Sequence, residues 1–410
     1  MKKIILLIII AVLFIPFIFA AKVDYLIEQE LQKEFKVKVI VHLYEKENES
    51  PFSINKKVSS QVNLNNKKRE FTVIPGFIAE VTSNELEKLK QNENVKAIYL
   101  DKKYKISLED SRKLINATEA VAKLVNDINI TGKSQTICVL DTGVNYTHES
   151  LGGCSQSTFT SGDCKKVIAG YDYYNSDSDP YDLHGHGTHI SGIIAANGSV
   201  KGIAPDANLI SIKVCDDSGY CDASAISSGL DFCIQNATVY NITAISISIG
   251  SDTLYSSYCD SSSSFTSFID NAVSKNISVV AATGNDGSTS GISDPACIQN
   301  STAVASVAKT DSMSSFSNRN ILTDLLAPGS SITSTYYDGK TAVMSGTSMA
   351  APHVAGLAAL VISKGNATSP TDVRKAIEFT ASDLGSAGKD NTYGWGLINA
   401  PAALSWPASL

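Results

Sequence analysis

Residues 137–143 read Ile137-Cys138-Val139-Leu140-Asp141-Thr142-Gly143, an apolar run that stops at a carboxylate and a glycine turn. Four apolar residues bounded by turn formers are too few for a helix and too apolar for a strand with one wet face. They read as a strand covered on both sides. Similar runs recur at 209–214, 244–249, 277–282 and 304–307, separated by helical patterns and glycine-rich turns. Buried strands alternating with helices imply parallel βαβ crossovers. Residues 109–410 are therefore expected to form an α/β domain, a doubly wound and mostly parallel sheet. In such sheets the functional loops lie beyond the carboxyl ends of the strands.

Inspection of those ends finds three chemically capable segments. Asp141-Thr142-Gly143 ends the first strand. His184-Gly185-His186-Gly187-Thr188-His189 opens a helix, and Ser345-Gly346-Thr347-Ser348-Met349-Ala350-Ala351-Pro352-His353 leads into another at 353–362. Serine is a weak nucleophile alone, histidine can take its proton near neutral pH, and a buried carboxylate can orient the imidazole. A serine at a helix start also gains backbone N–H groups and the positive end of the dipole, which favour a developing oxyanion. The chain order Asp, His, Ser argues against lipases and esterases, which place a G-x-S-x-G serine first.

With these segments in view, the chain resembles the subtilisin-like serine proteases (subtilases). The likeness covers about residues 130–403, through Val139–Val144, His186–Gly192 and Gly346–His353, together with Gly202-Ile203-Ala204-Pro205 and Tyr393-Gly394-Trp395-Gly396-Leu397-Ile398-Asn399. The resemblance implies Asp141 as orienter, His186 as general base (the histidine directly before Gly-Thr-His) and Ser348 as nucleophile. It also implies Asn285, at the end of Val279-Val280-Ala281-Ala282-Thr283-Gly284-Asn285, as oxyanion donor. Ser248, Ile249 and Gly250 are then the strand edge that pairs with substrate backbone, a mode that reads little side-chain identity. The chemistry needs no cofactor. A subtilase-fold binding protein that has lost catalysis is the competing reading, but all four catalytic positions stand in intact motifs.

Residues 22–108 differ in character. They are rich in lysine, with a partly alternating strand at 37–43, two short strands around Pro75-Gly76, a capping-box pattern (Thr82, Glu85) opening a helix through Leu89, and a strand at 96–100. This small α+β unit resembles the inhibitor-type propeptide of the same family. That implies an intramolecular inhibitor and folding aid, removed by a cut between about Lys102 and Ser111. Upstream, Lys2 and Lys3 precede an apolar run from Ile4 to Phe19, ending at Ala20-Ala21. Residues 1–20 are an export signal or an uncleaved N-terminal anchor, and the membrane is a partner only in the second case. Either way the expected address is secreted or at the cell surface.

Composition fits these readings. With 43% hydrophobic and 18% charged residues in 410, the chain can bury a sizeable core, and a net charge of −7 argues against nucleic acid as a partner. Polypeptide substrates and the chain's own N-terminal unit are the expected partners. Of eight cysteines, Cys154/Cys164, Cys215/Cys221 and Cys259/Cys297 sit in polar loops and are expected to pair, whereas Cys138 and Cys233 read as buried small hydrophobes. Ten N-x-S/T sequons allow surface glycosylation. Ser150 stands where related proteins supply a carboxylate to a tight calcium site. Asp172, Asn175, Asp177 and Asp179 place four hard oxygen ligands in one loop, a candidate structural calcium loop. Asp294, near the expected side-chain pocket, could favour basic substrates.

Overall fold

The computed structural model describes residues 21–64, 66–105, 130–365, 367 and 369–407. The candidate export segment and most of the expected cut region lie outside them. Two compact units are built, one within residues 1–70 and 75–100, the other from 71–74 and 101–410. In the larger unit the backbone of Lys103–Lys105 pairs antiparallel with Tyr220–Asp222.

In the smaller unit the alternating segment becomes the strand Val37–Leu43, paired antiparallel with Gly76–Val81 and Val95–Leu100 in a five-stranded sheet. The capping box forms as its sequence pattern requires. Thr82 N donates to the Glu85 carboxylate, Glu85 N donates to Thr82 Oγ1, and the helix Ser83–Lys90 follows. This helix and Pro51–Val62 bury Leu86, Leu89, Ile54 and Val58 against Val39, Val41, Phe77 and Ile98. The strand before Pro75 runs over Lys67–Glu70 and stops there, because residues 71–74 leave the sheet.

The larger unit is a seven-stranded, all-parallel sheet flanked by helices. Across it the strands run Leu325–Pro328, Thr302–Val307, Ser278–Ala282, Ile242–Ile247, Thr136–Asp141, Asn208–Lys213 and Val167–Asp172. All five expected strands are present. Of the two edge strands, Val167–Asp172 is half-exposed along most of its length and so lacks a continuous apolar run. From Thr136–Asp141 the chain builds the edge strand Val167–Asp172 and returns to fill Asn208–Lys213 between them, and from Ile242–Ile247 it winds outward on the opposite side. The carboxyl ends of Thr136–Asp141 and Ile242–Ile247 therefore form the topological switch point where α/β sheets build sites.

Two helices cross the core. Every residue of His186–Ala195 is buried, as is every residue from Thr347 to Val361 in the helix Thr347–Ser363. A helix apolar all round belongs in an interior. The second helix starts well before the expected 353, with Pro352 inside it. Among the described residues, no helix is long and apolar enough to cross a membrane.

The larger unit also corrects the cysteine reading. The three expected disulfides form, but Cys138 and Cys233 make a fourth. Cys138 lies on the strand that ends at Asp141, and Cys233 on the crossover helix Ala223–Gln235. Their Cα atoms are 6.3 Å apart although 95 positions separate them in sequence. A bridge buried in apolar surroundings looks, in the sequence, like two small hydrophobes.

Candidate active site

Asp141 ends its strand fully buried, and its Oδ1 accepts from Thr142 N at 2.8 Å. His186 Nδ1 lies 2.7 Å from the same oxygen. A carboxylate can only accept, so Nδ1 donates in this contact and Nε2 is left for another partner. Nε2 is buried and has no hydrogen-bond partner among the described residues. His184 and His189 are placed otherwise. His189 Nε2 meets the carbonyls of Ile332 and Ala342 at 3.0 and 3.2 Å, and burial pushes its pKa down to about 3. His184 Nδ1 accepts from His186 N at 3.4 Å, and burial, then the neighbouring His186, lowers its pKa.

Ser348 is the second residue of its helix. Pro352, four residues on, has no N–H to return to the Ser348 carbonyl. Ser248 Oγ makes that bond instead at 2.9 Å, and Ser348 Oγ donates to Ser248 O at 3.2 Å. A proline inside a helix thus ties the helix start to the end of the strand Ile242–Ile247. The serine hydroxyl is bonded to this backbone and not to His186.

Asn285 follows the strand Ser278–Ala282 across a glycine turn. Gly284 has φ +101°, and a Cβ there would collide with Ser293 Oγ. Asn285 Oδ1 accepts from Thr347 N at 2.8 Å and from Thr347 Oγ1 at 3.0 Å. Ser248, Ile249, Gly250, Asn285, Thr347 and Ser348 line one cavity of about 50 Å³. Asp294 does not line it. Its carboxylate is buried and accepts from Ser263 Oγ at 2.8 Å, while Ser293 faces the cavity. The Asp294 carboxylate thus faces neither this cavity nor solvent.

The candidate calcium residues share another cavity, of about 530 Å³, where both carboxylate oxygens of Asp172 and Asp179 and one of Asp177 accept from protein donors. Asp172 takes the backbone and side-chain N–H of Asn175, Asp177 takes the N–H of Asp179, and Asp179 takes Tyr146 Oη and Gln156 Nε2. Lys213 lines the same cavity and brings a cation of its own. Among the described residues, the group of three His, Cys, Asp or Glu side chains with ligand atoms within 4.8 Å is Cys259, Asp294 and Cys297, and both cysteines are in a disulfide. The loop as it stands does not fit a calcium shell, which needs six or more converging oxygens.

The sequence reading missed Thr347 as the anchor of Asn285, and Asp182. The first was visible only as a small residue inside a quoted motif. The second lay in the loop before His186 with no motif of its own.

The profile of the subtilase family matches residues 132–396, which contain the whole constellation. The chain belongs to the subtilase family. Residues 38–107 of this subtilase match the peptidase inhibitor I9 family. It is 37% identical over 276 residues to the thermophilic serine proteinase of Bacillus sp. (strain AK1), covering 65% of this chain and 61% of that protein. It is 33% identical to the alkaline serine exoprotease A of Vibrio alginolyticus (75% and 55%) and 34% identical to the thermostable alkaline protease of Halalkalibacterium halodurans (82% and 84%). The subtilase thus spans less than two thirds of the Bacillus and Vibrio proteins. The crystal structure of a cold adapted subtilisin-like serine proteinase matches with a TM-score of 0.55 at 33% identity, over 66% of this chain and 89% of that one.

Proposed function

We propose that this subtilase is an exported serine endopeptidase, made with an N-terminal inhibitory unit that it removes itself, and acting through an acyl-enzyme on Ser348. The observation that carries the proposal is the buried 2.7 Å contact between His186 Nδ1 and Asp141 Oδ1, which leaves Nε2 without a hydrogen-bond partner among the described residues. Substrate backbone adds to the strand edge Ser248, Ile249 and Gly250, and Ser348 Oγ exchanges its bond to Ser248 O for one to His186 Nε2. Oγ then attacks the scissile carbonyl carbon as Nε2 takes its proton, and Asp141 stabilises the imidazolium. The oxygen of the tetrahedral intermediate is held by the Ser348 N–H and the Asn285 amide. His186 returns the proton to the leaving amine, the C–N bond breaks, and water repeats the sequence to release the acyl group. No cofactor enters these steps.

The test is the intact mass of the purified full chain beside Ser348→Ala. Loss of about the first hundred residues in wild type only supports both self-removal and the nucleophile. Identical trimming in both assigns the cut to another protease. No trimming, with wild type inert towards a fluorophosphonate, replaces this reading with a silent binding protein.

A further inference from the structure

We infer that Asp182 is the positioning residue of His186, a carboxylate that holds the first turn of the histidine's helix so that Nε2 stays aimed at the serine. This inference rests on the proposed roles of His186 and Ser348.

The first N–H groups of any helix lack partners within it. Here the N-cap is Gly185, at φ +101° and without a side chain, so the cap must come from elsewhere. Three side chains supply it. His186 N donates to His184 Nδ1 at 3.4 Å, Gly187 N to Thr142 Oγ1 at 2.9 Å, and Thr188 N to Asp182 Oδ2 at 2.9 Å. Asp182 does more than one cap's share. Its Oδ1 accepts from His184 N and Gly185 N, both at 2.9 Å, and its Oδ2 also accepts the Thr188 hydroxyl at 2.6 Å. One side chain therefore grips the residues on both sides of His186.

Burial gives this arrangement its weight. Asp182 has no solvent exposure, and burying a carboxylate is costly unless its lone pairs are filled. All four bonds go to the segment 184–188, so any drift of that turn opens several of them together. Thr188 extends the grip, because its hydroxyl accepts from Asn145 N at 2.9 Å while donating to Asp182. A bond from Gly187 N to Thr142 ties the same turn to the residue after Asp141. The carboxylate thus sets where the ring begins, while Asp141 sets how it is rotated.

Asp182→Asn keeps the size and the two bonds to Oδ1, but turns an N–H₂ donor towards the Thr188 N–H. Because misplacement of a reacting group by about 1 Å can cost up to ~10²-fold, kcat on a peptide substrate should fall about 10- to 100-fold with KM within about twofold. The processed fraction is counted by fluorophosphonate end-point labelling. In ¹⁵N-histidine NMR, the far-downfield Nδ1–H of His186 should shift or broaden. Thr188→Val should lower kcat in the same way to a smaller degree, and Thr188→Ser should restore it. Unchanged kcat in Asp182→Asn, or equal loss of kcat and melting temperature with an unmoved His186 resonance, overturns the inference. If Asp182→Asn does not fold, the Thr188 pair is judged by the same criteria. If wild type itself has no turnover, the proposed function fails, and the resonance alone decides the positioning role.

Discussion

Ser248 donates its hydroxyl to the carbonyl of Ser348 at 2.9 Å, filling the bond that Pro352 cannot make within its own helix. The two features compensate one another. Ser248→Ala should leave a buried carbonyl unpaired, costing about 1–3 kcal/mol of stability and lowering turnover. Adding Pro352→Ala supplies the missing helical N–H and should recover part of both. A double-mutant cycle with additive effects would show that the serine and the proline are not coupled.

Thr347 holds Asn285 by its oxygen, through two donors at 2.8 and 3.0 Å. An incoming oxyanion then meets the donor end of the amide. Asn285→Leu should lower kcat by ~10²–10³ with little change in KM, the range established for such a donor in a subtilisin. Thr347→Val removes one of the two anchors and should cost about 1 kcal/mol, roughly fivefold in kcat. Equal kcat for Asn285→Leu and wild type would remove Asn285 from the mechanism.

The Cys138–Cys233 bridge closes a loop of 95 positions, the Cys154–Cys164 bridge one of 10. On the loop-closure model the first restricts the unfolded chain by about 4.7 kcal/mol and the second by about 2.7 kcal/mol. Replacing each pair by alanine should reproduce this order in urea unfolding of the Ser348→Ala chain. The reverse order would mean that neither loss is governed by chain entropy.

Three histidines are held neutral by burial: His42 and His189 with pKa values pushed down to about 3, and His353 to about 4. In the unfolded chain each takes a proton near pH 6.5. Below that pH the unfolded state binds more protons, so stability falls as pH drops from about 6.5 towards the folded values. His42, packed edge-on against Tyr99 in the smaller unit, should alone account for about 2–3 kcal/mol between pH 6.5 and 4.5. Melting curves of Ser348→Ala with and without His42→Phe should diverge over that range. Parallel curves would show that His42 is not the titrating group.

Most of the fold and the Asp141–His186 pair of the candidate site were legible because their signals are local. A buried strand announces itself by its own apolar run, as at 137–140, and Asp141, His186 and Ser348 each sit where one element ends or another begins. The capping box of Thr82 and Glu85 spans four residues and was equally readable. What escaped was decided by distant groups. Whether Cys138 is a hydrophobe or half of a bridge depends on Cys233. Asp294 faces Ser263 instead of the substrate cavity, and the oxygens of Asp172 and Asp179 are taken by Asn175, Tyr146 and Gln156.

By itself, then, the sequence determined the order of buried strands and helices and the chemical identity of the groups at their ends, since periodicity and turn chemistry act over a few neighbouring residues. Only the tertiary structure decided which lone pairs and protons those groups have already spent. Hydrogen bonds saturate and depend on direction, and the partner that fills Ser348's carbonyl or Asp182's oxygens is chosen by where the folded backbone puts it.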